Sequence, residues 1–224
     1  MGGRIVVSIA VLGFIASPGL RAQDAEHSKI TTNLGAGVNA FLNPTARLVH
    51  PSANIVVGAG YNFNKHHSVL GQFMWAGLNE NRDALRPIRL LTGIRDLDGS
   101  SNLYTITANY RLRKEGKTYG AYFIAGGGAY IRHTRLSRDV IVGAGTVCGP
   151  WWNWWGFGCV SGFVTDDVTL VSETSTAFGG NGGIGFTVKI HEDGYKFYVE
   201  ARYHYAPTSR IATTLIPITV GFSW

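Results

Sequence analysis

Residues 212–224 read ATTLIPITVGFSW, and the alternation in this stretch decides the fold. Ile216, Ile218, Val220, Phe222 and Trp224 fall on one face of an extended chain. Leu215, Pro217, Thr219, Gly221 and Ser223 fall on the other, which is smaller and more polar. Successive side chains of a strand point to opposite sides, so a period of two marks a strand whose sides meet different surroundings. Residues 195–205, YKFYVEARYHY, sharpen the contrast. Phe197, Val199, Ala201, Tyr203 and Tyr205 share one face, and Lys196, Tyr198, Glu200, Arg202 and His204 share the other. The length matches the roughly 9–11 residues a tilted strand needs to cross a bilayer.

Working back along the chain, the same pattern recurs at 31–42, 54–63, 68–78, 103–112 and 177–190. It recurs again at 119–132, where the glycine run of YFIAGGGAYI leaves the faces open. That makes eight strands. The connections NKHHS (64–68), RKEGKT (113–118) and HEDG (191–194) are tight and polar, whereas 43–53, 79–102 and 135–176 are long. The expected fold is therefore all-β: an eight-stranded antiparallel up-and-down transmembrane β-barrel with short periplasmic turns and long extracellular loops. Closure removes the open edges that lipid does not tolerate. A soluble eight-stranded barrel or sandwich, with the apolar faces turned inward, is the competing architecture.

The start of the chain suits export. Arg4 precedes an apolar run from Ile5 to Ile15; Pro18 and Gly19 break it, and small residues lead to Gln23. Residues 1–22 are expected to be a signal peptide and 23–224 the barrel domain. Losing Arg4 and Arg21 lowers the formal charge from +6 to +4. This excess is spread along the chain without a basic block, which argues against a nucleic-acid partner. Thirty glycines, 12% aromatic and only 15% charged residues suit a protein whose outer face meets lipid.

On the signal segment, the eight strands and the ending ITVGFSW (218–224), the chain resembles the OmpA-like family of small outer-membrane β-barrels. YFIAGGGAYIR (122–132) and YVEARYHY (198–205) also look like strand signatures of outer-membrane β-barrel domain proteins. The resemblance implies location in the bacterial outer membrane among lipids and lipopolysaccharide. It further implies a C-terminal insertion signal at Val220, Phe222 and Trp224, read by the assembly machinery.

Several residue groups invite functional readings. Arg111, Lys189, Glu200 and Arg202 are expected to form a charge cluster inside the barrel, because eight strands enclose only enough room for side chains and buried charges must pair. A polar plug is the favoured reading and a narrow porin-like channel the alternative. The stretch around His204 resembles the active-site strand of outer-membrane lipid A deacylases, but Tyr205 and Ala206 follow where the His-x-Ser nucleophile would stand. No catalytic residue is assigned. Gly180–Gly185 fits G-x-G-x-x-G, yet strand continues after it where a nucleotide site needs a helix. No HExxH or CxxC occurs, so neither cofactor nor metal is expected. Arg82, Arg86, Arg89 and Arg95 in the second long loop are suited to lipopolysaccharide phosphates; offset by Glu80, Asp83, Asp96 and Asp98, they equally suit a solvated loop of balanced charge.

The remaining motif is CGPWWNWWGFGC, residues 148–159. It falls in the longest loop, between strands of β-prone sequence that extend as a hairpin. A disulfide between Cys148 and Cys159 would close a ring of about twelve residues, worth roughly 3 kcal/mol. Trp151, Trp152, Trp154 and Trp155 would then form a surface contact for a glycan or other surface ligand, with anchoring of one pair at the lipid interface as the alternative. The expected role is non-catalytic, structural and surface-interacting.

Overall fold

The computed structural model describes residues 29–224 apart from 94–96, 154–155, 191–193 and 209–210; in the loop helix and the distal hairpin some side chains are likewise not described. The expected signal segment, 1–22, lies outside the described residues.

Eight long strands follow one another: β1 (Ile30–Phe41), β2 (Ser52–Asn62), β3 (His67–Glu80), β4 (Leu97–Glu115), β5 (Tyr119–Asn153), β6 (Gly156–Lys189), β7 (Lys196–Ala206) and β8 (Thr213–Ser223). Each pairs antiparallel with its neighbour in sequence, and β1 pairs with β8 to close the barrel. Following partners from Thr31 through Gly60, Leu70, Asn109, Gly126, Asn181, His204 and Leu215 returns to β1 at Phe41, ten residues from the start. A stagger of ten over eight strands, with the usual strand rise and spacing, tilts the strands by about 40°.

The alternation read from the sequence resolves as outside and inside. Leu34, Val38, Ile55, Val57, Phe73, Ile106, Phe123, Ile184, Ile218 and Phe222 are exposed on the outer wall. Between them point Asn33, Asn54, Gln72, Thr105, Asn109, Glu200, Arg202 and Thr219, all buried. A soluble barrel would invert this arrangement. The open assignment in β5 is settled by register: Tyr122, Ile124 and Tyr130 are buried inward and Phe123 faces out. Gly126, Gly127 and Gly128 lie opposite Asn181, Gly180 and Gly179. Gly185 is required by packing, since a methyl group there would overlap the ring of Tyr122.

The interior is zoned along its axis. At the end of the long loops Phe41, Val56, Met74, Leu103, Tyr130 and Leu215 form an apolar cluster. Polar and charged side chains fill the middle. The 3-10 turn Thr45–Arg47 closes over the apolar end, where Thr45 Oγ1 donates to the Ala212 carbonyl at 2.8 Å.

Of the two longest loops, one follows the expected hairpin and the other holds an element the sequence did not show. The segment from 135 to 176 is β-structure, because β5 and β6 run on as a paired ribbon to Asn153 and Gly156. The second loop contains a helix, α1 (Arg82–Thr92). The Asn81 side chain accepts from the Asp83 amide at 3.0 Å to start it, and Gly93 at φ 71° ends it. Pro87 inside the helix is what hides it from a sequence reading.

Candidate functional site in the extracellular hairpin and the barrel interior

Beyond the barrel wall, among the described residues, β5 and β6 pair only with each other. β4 stops accompanying β5 at the Leu97–Arg138 pair, and β7 leaves β6 at Gly180–Tyr205. From Arg138 to Asn153 the ribbon continues for fifteen residues, about 50 Å of extended chain. The register shifts after Leu136 and shifts back after Ile141. Leu170 is the extra residue on β6 and Val142 the extra residue on β5, so the two bulges cancel. Their cancellation puts Cys148 directly opposite Cys159; with one bulge alone, Cys148 would face Gly158. Directly opposed strand residues have Cα atoms about 4.5–5.5 Å apart, within disulfide range. No free cysteine occurs among the described residues. Trp151 and Trp152 belong to β5 by their backbone, whereas Trp154 and Trp155 lie outside the described residues.

Inside the barrel, Glu200 and Arg202 form an ion pair at 2.5 Å, both nearly inaccessible to solvent. The Tyr122 hydroxyl donates to Glu200 Oε2 at 2.8 Å. Gln72 Oε1 accepts from Arg202 Nη1 at 2.7 Å and from Asn109 Nδ2 at 2.8 Å. Arg111 donates through Nε to Ser68 Oγ at 3.1 Å and lies over the Tyr122 ring at 5.4 Å. Two cavities of about 10 Å³ each lie between these groups, room for roughly one water apiece.

Three of the four expected cluster residues thus meet in the interior. Lys189 does not: it stands exposed at the rim, in register with Lys196, because β6 ends there, far along the axis from Glu200. Lys196 instead holds Glu115 at 2.6 Å. Tyr122 and Gln72 are the partners a sequence reading misses. The glycine run obscures the face of Tyr122, and only the register brings Gln72 to Arg202. His204 is buried, with Nδ1 2.9 Å from the Tyr130 hydroxyl, a core hydrogen bond rather than a nucleophile pair. At the C-terminal strand Val220, Phe222 and Trp224 are half-exposed on the outer wall. In α1, Arg89 donates to the Leu97 carbonyl at 2.6 Å and Arg86 is exposed; the Arg82 side chain and Arg95 lie outside the described residues.

Lipid-facing apolar walls around a closed polar interior, with two-sided strands throughout, are the arrangement of a membrane barrel. Residues 7–223 match the outer membrane protein beta-barrel domain. The chain belongs to that family. The barrel is accordingly a bacterial outer-membrane protein. Among solved structures, a major outer membrane protein from Thermus thermophilus shares the fold at a TM-score of 0.50, with 6% identity over 87% of this chain and 98% of that one. Ail, the attachment invasion locus protein of Yersinia pestis, in complex with the heparin analogue sucrose octasulfate, aligns at a TM-score of 0.47 and 15% identity, over 88% of this chain and 100% of that one. Neisserial surface protein A aligns at 0.46 and 12% identity, over 87% and 94% of the two chains. No curated protein matches the chain.

Proposed function

We propose that this outer-membrane barrel is a non-catalytic anchor that holds a stapled aromatic tip far above the membrane for contact with a surface ligand. The carrying observation is the ribbon itself: β5 and β6 remain paired for fifteen residues past the last β4 partner. Nothing in lipid needs such a projection, and an element built outward at this length serves reach. The compensated bulges support a Cys148–Cys159 disulfide at the tip. With Trp151, Trp152, Trp154 and Trp155 inside its ring, the tip offers rigid aromatic area suited to sugar stacking or partner docking.

The rest of the chain serves anchoring. Val220, Phe222 and Trp224 act as the insertion signal, and residues 1–22 as the export signal. Helix α1 presents Leu90 and Leu91, 77% and 87% exposed, beside Arg86. That combination suits the outer leaflet, with leucines among acyl chains and the guanidinium at lipopolysaccharide phosphates. Against the channel reading stand the Glu200–Arg202–Tyr122 plug and the one-water cavities.

The test replaces residues 145–162 with an Asn-Gly turn and compares adherence of expressing cells to glycan-coated and protein-coated surfaces. Insertion, read by the heat-dependent gel shift, is expected to be unchanged while adherence falls to background. Adherence that survives the replacement rejects the tip as the contact.

A further inference from the structure

At the end of the barrel that carries the short turns, a cavity of about 640 Å³ opens to the periplasm. Its volume is that of an ordinary ligand pocket. Its walls are strongly basic. Lys29, Lys65, Lys117 and Lys189 stand exposed around the rim, and Arg113 and Lys196 line the throat. The only acidic residue among the described lining is Glu115, already held by Lys196 at 2.6 Å and by Arg113 at 3.5 Å. Glu192 and Asp193 belong to the turn outside the described residues.

The floor is Arg111. It is 7% exposed, and among the described residues it forms no ion pair with a carboxylate. Its neighbours are the Ser68 hydroxyl and the face of Tyr122. Glu200, the buried carboxylate deeper in the barrel, is taken up by Arg202 and Tyr122. Glu200 and Glu115 act on this guanidinium only from a distance, each held by another cation; a buried guanidinium with no carboxylate in direct contact is costly, and an anion at the cavity floor relieves that cost. Low-dielectric barrel walls around a ring of like charge also focus the field into the opening.

We propose that this vestibule is a binding site for a multiply charged, phosphate-bearing anion. Arg111 engages one phosphate from below as a planar donor, and the rim lysines hold the remaining charge. The phosphate comes either from a soluble periplasmic anion or from an anionic lipid headgroup of the inner leaflet leaning over Phe63 and Trp224 at the mouth. Both share the same recognition chemistry.

The experiment places the full barrel in nanodiscs of phosphatidylcholine, or of phosphatidylcholine with phosphatidylglycerol, and titrates inorganic pyrophosphate calorimetrically. Pyrophosphate is expected to bind in phosphatidylcholine discs. Arg111→Gln should weaken it at least tenfold. If the natural source is lipid, phosphatidylglycerol discs compete, and the anionic lipid stays with the wild-type barrel but not with Arg111→Gln in native mass spectrometry. If the source is soluble, disc composition leaves the titration unchanged. Should Arg111→Gln fail to fold, the exposed triple variant Lys65→Gln, Lys117→Gln, Lys189→Gln must show the tenfold loss instead. Absence of both pyrophosphate binding and lipid retention overturns the proposal, as does wild-type affinity in the folded variants.

Discussion

Replacing Glu200 by glutamine keeps the shape of the side chain and removes its charge. In the wild-type barrel this carboxylate is ion-paired with Arg202 at 2.5 Å and accepts from Tyr122 at 2.8 Å. Glu200 and Arg202 are 6% and 5% exposed, so solvent cannot take over the lost partner. Breaking such a buried pair from one side costs about 3–5 kcal/mol, a large part of the roughly 5–15 kcal/mol that holds a domain together. The amide still offers Tyr122 an acceptor, so the loss reports the uncompensated guanidinium. The matched control is the double variant Glu200→Met, Arg202→Met. It removes both charges and should recover at least half of the deficit, since apolar replacement of a buried pair is often neutral. The assay is urea unfolding in detergent micelles, followed by tryptophan fluorescence and by the folded band on unboiled gels. A single-variant cost below about 1 kcal/mol would refute the claim that the interior is a closed, charge-paired plug. So would a double variant as unstable as the sum of its singles.

Gly185→Ala sets a methyl group against the Tyr122 ring and should cost about 1–3 kcal/mol in the same unfolding assay, as overpacking does elsewhere. Cys148→Ser, or mild reduction, should make the ribbon tip cleavable by limited proteolysis and leave barrel unfolding unchanged; equal protection of both forms would argue against the staple. Leu90→Asp with Leu91→Asp should weaken association with lipopolysaccharide-containing bilayers several-fold without shifting the folded gel band. In planar bilayers the wild-type barrel is expected to stay silent; steady single-channel steps would favour the pore.

The wall of the barrel was legible because lipid and interior impose opposite demands on neighbouring residues. The alternation in 195–205 and 215–223 carries that directly, and the structure follows it there; Thr213 and Thr214, next to the loop, are both buried. Two things were hidden for separate reasons. The glycines of β5 erase the side-chain contrast, so the inward position of Tyr122 emerges only from pairing with β4 and β6. The partners of Arg202 and Arg111 depend on the ten-residue stagger, a property of closure that no single strand contains. Lys189 shows the reverse case: the correct face was legible, but its distance along the axis from Glu200 was not. In the ribbon, β-prone flanks around the cysteines announced a hairpin, while the compensating bulges at Val142 and Leu170 leave no mark that sequence alone reveals.

The ribbon also has a mechanical meaning. β5 and β6 each run without interruption of the strand from the periplasmic turns through the wall and out toward the tip. A pull on the tip away from the cell therefore travels along two covalent backbones in parallel. Within the wall it reaches the ladders that join β5 to β4 and β6 to β7, whose hydrogen bonds run across the strands. Load along the strands strains those bonds together, in shear, instead of peeling them one at a time. A ribbon rooted in this way loads its ladders in shear, which a loop hung from the rim would not do.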